Sequence, residues 1–151
     1  MSSFKFTDNS DKFIKGMEEA VDRALTAAGT QASSLAKREL QKSPERLDTG
    51  LLRNSITYAV SGKAPAISSY RGDRPSKYKK NGIIPSGSYS GTAPNDPKDH
   101  QAVYVGTNVS YAPYVHEGTS KLKPPNRFLK NAVMDNQAEL KAIMENELKK
   151  G

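Results

Sequence analysis

The sequence predicts an α+β domain: a long N-terminal helix, a small antiparallel β-sheet carrying a long inserted loop, and a C-terminal helix packed on the sheet. Three observations carry this. Apolar residues recur at three- and four-residue steps from Phe13 to Leu40, and again after Pro124-Pro125. Between them, Ser55–Val60 alternates polar and apolar with β-rich residues, the pattern of a half-buried strand, and Ala102–Gly106 reads as a second strand. Helix, strand, loop, strand, helix is the order of a small antiparallel sheet covered by helices.

The first helix is read from Phe13, Met17, Ala20/Val21, Ala24/Leu25, Ala28, Ala32, Leu35/Ala36 and Leu40, which fall on one face. Asp8, Ser10 or Asp11 would cap its start. Ser43-Pro44 would end it, because a residue before proline disfavours the α region. Such a helix is about 45 Å long, longer than a small sheet. Part of it should project or pack on a neighbouring subunit. Gly16 and Gly29 should each weaken it by about 1 kcal/mol relative to Ala. Asp48-Thr49-Gly50 is turn chemistry, and Thr107–Tyr111 reads as a turn or a further strand. The last helix is signalled by Phe128/Leu129, Ala132/Val133, Gln137, Leu140, Ile143/Met144 and Leu148. Asn126 would be its cap, and Lys149-Lys150 would complement its negative end.

With 151 residues, the chain is expected to form a single domain over 1–151. Residues 62–100 interrupt it. Pro65, Pro75, Pro85, Pro94 and Pro97 lie there with five Gly and six Ser, while Ile67, Ile83 and Ile84 are the large aliphatic residues. Proline removes ladder donors and glycine raises the entropy cost of ordering, so the stretch cannot pack a core alone. It reads as a flexible basic insertion loop, holding net +4 of the chain's net +7. A further excess of about +3 lies in 121–151, and the framework before and between the two stretches is near neutral. At 35% apolar residues the core is thin, and a thin core gains stability from partners.

No reaction is visible. The chain has no Cys, which excludes a disulfide scaffold, a thiolate metal site and a Cys nucleophile. The two His, His100 and His116, lack metal-ligand spacing to other donors, so no metal or cofactor is expected. Gly87-Ser88-Tyr89-Ser90-Gly91 sits in the Pro/Ser/Gly stretch rather than between a strand and a helix, and is set aside as a nucleophile. Gly62-Lys63-Ala64 lacks the remainder of a phosphate loop. No apolar run can span a bilayer, and the first residues lack the apolar stretch of a secretory signal. The expectation is a protein that is not an enzyme and has no membrane partner.

One charged tract has a functional reading. Arg71, Arg74, Lys77, Lys79 and Lys80 are interleaved with Tyr70 and Tyr78. Cations neutralise phosphate and aromatic faces stack bases, so the tract suits nonspecific contact with DNA or with an acidic protein surface. The plain alternative is a solvated loop.

Three strings resemble the small neck or tail-completion proteins of long-tailed bacteriophages, the lambdoid-type minor tail components that join head to tail. The first runs from Pro44 through Thr49-Gly50-Leu51-Leu52-Arg53-Asn54-Ser55-Ile56, like the family's Thr-Gly-x-Leu-Arg-x-Ser-Ile after its first helix. The second and most specific is Val105-Gly106-Thr107 followed by Tyr111-Ala112-Pro113-Tyr114-Val115-His116-Glu117-Gly118-Thr119. The family has Glu-Phe where this chain has His116-Glu117. The third, Pro124-Pro125-Asn126-Arg127-Phe128-Leu129, is similar to the Pro-Phe-Leu that opens the family's last helix.

The resemblance implies a structural virion protein: a homo-oligomeric ring, six-fold like a tail tube, that joins or seals the head–tail junction. Its partners would be head-closure or adaptor proteins and tail-terminator or tail-tube proteins, with packaged DNA close by. It would reside in the virion neck after assembly in the host bacterial cytoplasm. Thr49, Gly50, Leu52, Arg53, Gly106, Thr107, Tyr111, Ala112, Tyr114, Val115, Gly118, Thr119, Phe128 and Leu129 match the family's signature. Physically they read as fold residues. Gly50, Gly106 and Gly118 suit turns, Tyr111, Tyr114 and Val115 a short helical turn packed on the sheet, and Phe128 and Leu129 the core. The alternative function is nonspecific DNA binding through 62–100.

Overall fold

A computed structural model describes residues 6–43, 48–79, 81–95, 101–120 and 124–150, with side chains from Lys15 onward. Helix α1 (Phe6–Gln41) is followed by a helical turn α2 (Leu51–Ser55) and strand β1 (Thr57–Val60). The insertion carries β2 (Ser69–Arg71) and β3 (Ser86–Ser88). Then come β4 (Val103–Gly106), α3 (Ala112–Glu117), α4 (Phe128–Met134) and α5 (Gln137–Lys149). The fold is α+β: a long helix, two small antiparallel sheets, and C-terminal helices.

The expected apolar stripe of α1 is buried. Ala20, Ala24, Ala28, Ala32, Leu35, Ala36 and Leu40 are all in the core. Small side chains along the stripe let neighbours approach closely. The helix is longer than its sequence signal, 36 residues or about 54 Å. Asp8, Ser10 and Asp11, read as caps, lie inside it. Pro44 and the side chain of Phe13 fall outside the described residues.

Strands β1 and β4 pair with Thr57 opposite Gly106 and Val60 opposite Val103. Directly opposed residues share a face, so Tyr58, Val60, Val103 and Val105 line one side. That side packs on α1, with Tyr58 and Val103 closing over Gly29. The insertion returns to β1, where Ala66 N–H donates to Tyr58 O, and is closed on itself by Gly62 N–H to Ala93 O. Gly106 ends β4 rather than making a turn. Residues 107–109 form no strand.

Ser55–Val60 was expected to be one strand, but its start is helical. Leu52 and Ser55 are buried on the inner side of α2, where Ser55 Oγ donates to Leu52 O at 2.6 Å. Burying both from one short segment requires the three-residue helical step, so β1 begins only at Thr57.

The single C-terminal helix is two helices, broken at Asp135-Asn136. Asn136 leaves helical geometry at φ −128°, and its Nδ2 donates back to Ala132 O at 2.9 Å, satisfying an end carbonyl of α4. Both helices lie along α1, which also carries the sheet. Chain order sets the direction of α5. Asn126 meets the C-terminal end of α1 at Glu39, and Glu139 meets Gln31, so α5 runs back antiparallel to α1. The core joins Leu35, Leu40, Leu52, Ile56, Val109, Ala112, Val115, Phe128 and Leu140, with Leu129 packed at its edge.

Candidate functional site

The three signature strings meet where α1 ends. Gly50 stands before α2 with φ 81°, a left-handed conformation that a side chain would strain. A Cβ there would also strike the Asp73 carboxylate. Thr49 is buried, its Oγ1 accepting Leu51 N–H at 3.1 Å and its carbonyl accepting Asp73 N–H at 2.6 Å. Arg53 pairs with the Asp73 carboxylate, and Asn54 Nδ2 donates to Asp73 Oδ1 and to Arg71 O at 2.9 and 2.8 Å. The Asn54 hydrogen bond, aided by Arg53, holds the Asp73 carboxyl below its ordinary 3.8. Asp48 is held low as well, by the Ser76 hydroxyl and by Lys77 N–H. The first string is therefore a clasp that grips the insertion.

The second string forms the adjoining wall. Thr107 Oγ1 lies 2.6 Å from Ser55 Oγ and accepts Val109 N–H. Ala112 and Val115 enter the core from α3, and Gly118 closes that helix with its N–H on Tyr114 O. Thr119 is half-buried. Tyr111 and Tyr114 do not pack inward as expected; they are 41% and 59% exposed. Tyr111 stands before α3 and Tyr114 on its outer side, while Ala112 and Val115, three residues apart, take its inner side. The Tyr111 phenol is pushed up from 10.0, by burial first and by the Asp48 carboxylate second.

His116 is a structural ligand of the backbone. Its Nε2 accepts Lys130 N–H at 3.2 Å, satisfying a free donor in the first turn of α4. The ring proton therefore sits on Nδ1, which donates to Glu117 Oε1 at 2.7 Å. This bond holds the Glu117 carboxyl below 4.5. The imidazole also meets the edge of Phe128, with ring centres 5.3 Å apart. Asn126, expected to cap α4, does something else. Its Nδ2 donates to Glu39 O and Ser43 Oγ at 3.1 and 2.9 Å, so it ties the end of α1 to the third string. Phe128 is fully buried and Leu129 only partly.

The basic tract is spread over the insertion. Arg71 is exposed on β2, and Arg74, Lys77 and Lys79 are exposed beyond it. Lys80 and His100 lie outside the described residues. Lys77 Nζ sits 5.2 Å from the Tyr78 ring centre, and Tyr78 is 74% exposed. Tyr70 does not join them. Its hydroxyl bonds to Asn108 and its ring rests against Tyr89 at 5.4 Å, while burial raises its phenol above 10.0. Tyr89 in turn donates to Ser55 O at 2.6 Å. The interleaved aromatics thus divide into one that anchors the hairpin and one that faces solvent.

Between the clasp and the hairpin lies a groove of about 440 Å³. Leu51, Tyr78, Ile83, Pro85 and Tyr111 supply its apolar lining, with Lys79 and Asn81 at its polar positions. A second hollow of about 480 Å³ lies beside His116 and Leu129. The second also holds Thr107, Ser110 and Glu117, and there the His116 Nε2 that could face a hydroxyl accepts Lys130 N–H instead. Among the described residues, no three His, Asp or Glu side chains are placed to hold a metal, and no helix is long and apolar enough to cross a membrane. Sequence reasoning missed Asn54, Asp73, Tyr89 and Asn108, the polar residues that fasten the insertion. Their only signal was polar identity in a polar segment. Scans against protein-family models, curated proteins and solved structures found no match to this chain.

Proposed function

We propose that this chain is a structural assembly protein of the phage neck or tail-completion type, forming a ring at the head–tail junction. The observation that supports this reading is the fate of the signature residues. The first string lies about fifty residues before the other two, which almost adjoin, yet all three build one joint, and most of their side chains enter packing and hydrogen bonds. A signature made of joint residues fits a protein whose work is to present surfaces. The first helix adds to this: residues 15–19 are all exposed at its N-terminal part, as expected of a stretch awaiting a neighbour. Light scattering and electron microscopy of the purified chain, alone and with tail-tube or head-closure proteins, test the assembly. Deleting the gene should leave unjoined heads and tails. Normal joining in its absence refutes the proposal.

Nonspecific DNA binding is the second reading, supported by exposed Arg71, Lys77 and Lys79 beside exposed Tyr78 on one hairpin. Duplex binding should then weaken steeply with salt, and changing Arg71, Arg74, Lys77, Lys79 and Lys80 to Ala should flatten that dependence. Absence of binding near physiological salt removes this reading.

A further inference from the structure

We infer that the projecting part of α1 docks into the clasp–hairpin groove of a second copy of this chain, head to tail. The inference rests on the ring reading and names the surfaces that would build the ring.

The arm is defined by where its partner helix stops. Glu139 on α5 receives a hydrogen bond from Gln31, and α5 runs antiparallel to its end at Lys149. Ten residues on from Glu139 and ten back from Gln31, α5 ends beside about position 21 of α1. Among the described residues, no helix covers the stretch before that. Met17 continues the buried stripe of Ala20, Ala24 and Ala28 by the same helical steps, yet it is 54% exposed. Beside it stand the exposed carboxylates of Glu18 and Glu19. Met17 is thus an apolar member of the stripe that the described residues leave uncovered.

The groove has the complementary character. Ile83, 66% exposed, and Tyr78, 74% exposed, offer apolar surface, with Lys77 and Lys79 next to them. The Asp48 carboxylate there is already held by Ser76 and Lys77 N–H, so it leaves the lysines as the exposed charge. Met17, with Lys15 before it and Glu18 and Glu19 after it, has a net acidic surround, and the groove is apolar with cations beside it.

The occupant must be another copy. The groove is built on residues 48–52, just after α1 ends, whereas the arm lies at the other end of a helix about 54 Å long. A rigid helix cannot bring its own start to its own end. Arm and groove are different surfaces, so a pairing that is not reciprocated between the same two chains is heterologous and propagates into closed rings or filaments.

The chain has no Cys, so engineered thiols report cleanly. In assembled protein, the Met17→Cys/Ile83→Cys variant should give a ladder of disulfide-linked oligomers on mild oxidation, and mixing the two single variants should stop at dimers. Glu18→Lys/Glu19→Lys, or Lys77→Glu/Lys79→Glu, should each raise the concentration needed for half-assembly about tenfold. The four changes together should restore it. Assembly that persists with neither crosslink nor charge effect overturns the docking and leaves the ring reading standing. A wild-type chain that stays monomeric at all concentrations overturns both.

Discussion

Gly29 and Gly16 look alike in sequence, as two residues that weaken a helix, and their substitution by Ala separates helix propensity from packing. Gly16 is exposed, and a Cβ built there meets nothing within 4 Å. Gly16→Ala should therefore gain the propensity difference, about 1 kcal/mol. At Gly29 the same Cβ would lie 2.7 Å from Tyr58 Cδ2, 2.8 Å from Tyr58 Cγ and 2.7 Å from Val103 Cγ2. Two of these atoms belong to a ring near its attachment to the backbone, and both side chains sit between α1 and the sheet. Room can come only from moving the sheet away from α1, an overpacking cost of about 1–3 kcal/mol. Gly29→Ala should thus lie about 1–3 kcal/mol below Gly16→Ala, with net destabilisation of up to about 2 kcal/mol. The assay is chemical denaturation at concentrations where the chain is monomeric, supported by melting, where each kcal/mol moves the midpoint by about 2–4 °C for a domain of this size. Adding Val103→Ala to Gly29→Ala removes one of the two obstacles, so the pair should be less destabilised than the sum of the single changes. If Gly29→Ala stabilises as much as Gly16→Ala, the close approach of sheet to helix is refuted.

Other expectations follow from the joint. Phe128→Ala empties a fully buried site at its centre and should cost about 3–5 kcal/mol by denaturant unfolding. Asn126→Ala removes the bonds to Glu39 O, which keeps Lys42 N–H, and to Ser43 Oγ, and should cost about 1–3 kcal/mol, with hydrogen exchange rising first at the end of α1. His116→Ala removes the acceptor for Lys130 N–H, a loss comparable to a helix cap at about 1 kcal/mol; an unchanged unfolding midpoint would show that water replaces it. Asp48 and Asp73 have folded-state carboxyls held below 3.8, so their contribution is complete above the unfolded value and is lost as pH falls through the lower folded one. Stability should be level near neutrality and decline below about pH 4. Asp48→Asn and Asp73→Asn should flatten that decline, and an unaltered acid limb would contradict the assignment.

The parts of this fold that were legible in sequence are those that depend on a period. The α1 stripe, the β1–β4 pair and the apolar face of the last helices all bury enough surface to impose a pattern on the chain. The break at Asp135-Asn136 left that pattern almost unmarked, because a side chain returning to Ala132 O lets the apolar phase resume with little gap. The β2–β3 hairpin had no pattern to offer. Ser-Tyr-Arg opposite Ser-Gly-Ser buries little, and it is fixed by polar contacts that cross long distances in sequence, such as Asn54 to Asp73 and Asn108 to Ser88. The same holds for Asn126, whose partner on Glu39 lies 87 residues away.

This division bears on how the chain can work. The buried face of α1 is mostly alanine, which gives close contact but little buried area per residue, so the clasp and the His116 and Asn126 ties help fix the positions of α2, α3 and the hairpin. These polar ties set direction more strictly than apolar packing does, since each bond is lost with a small rotation of its donor. The groove they shape is consequently a more defined surface than the composition of residues 62–100 implies. The net charge gathered in that stretch then becomes a feature of a positioned surface, suited to meeting an acidic neighbour in one orientation.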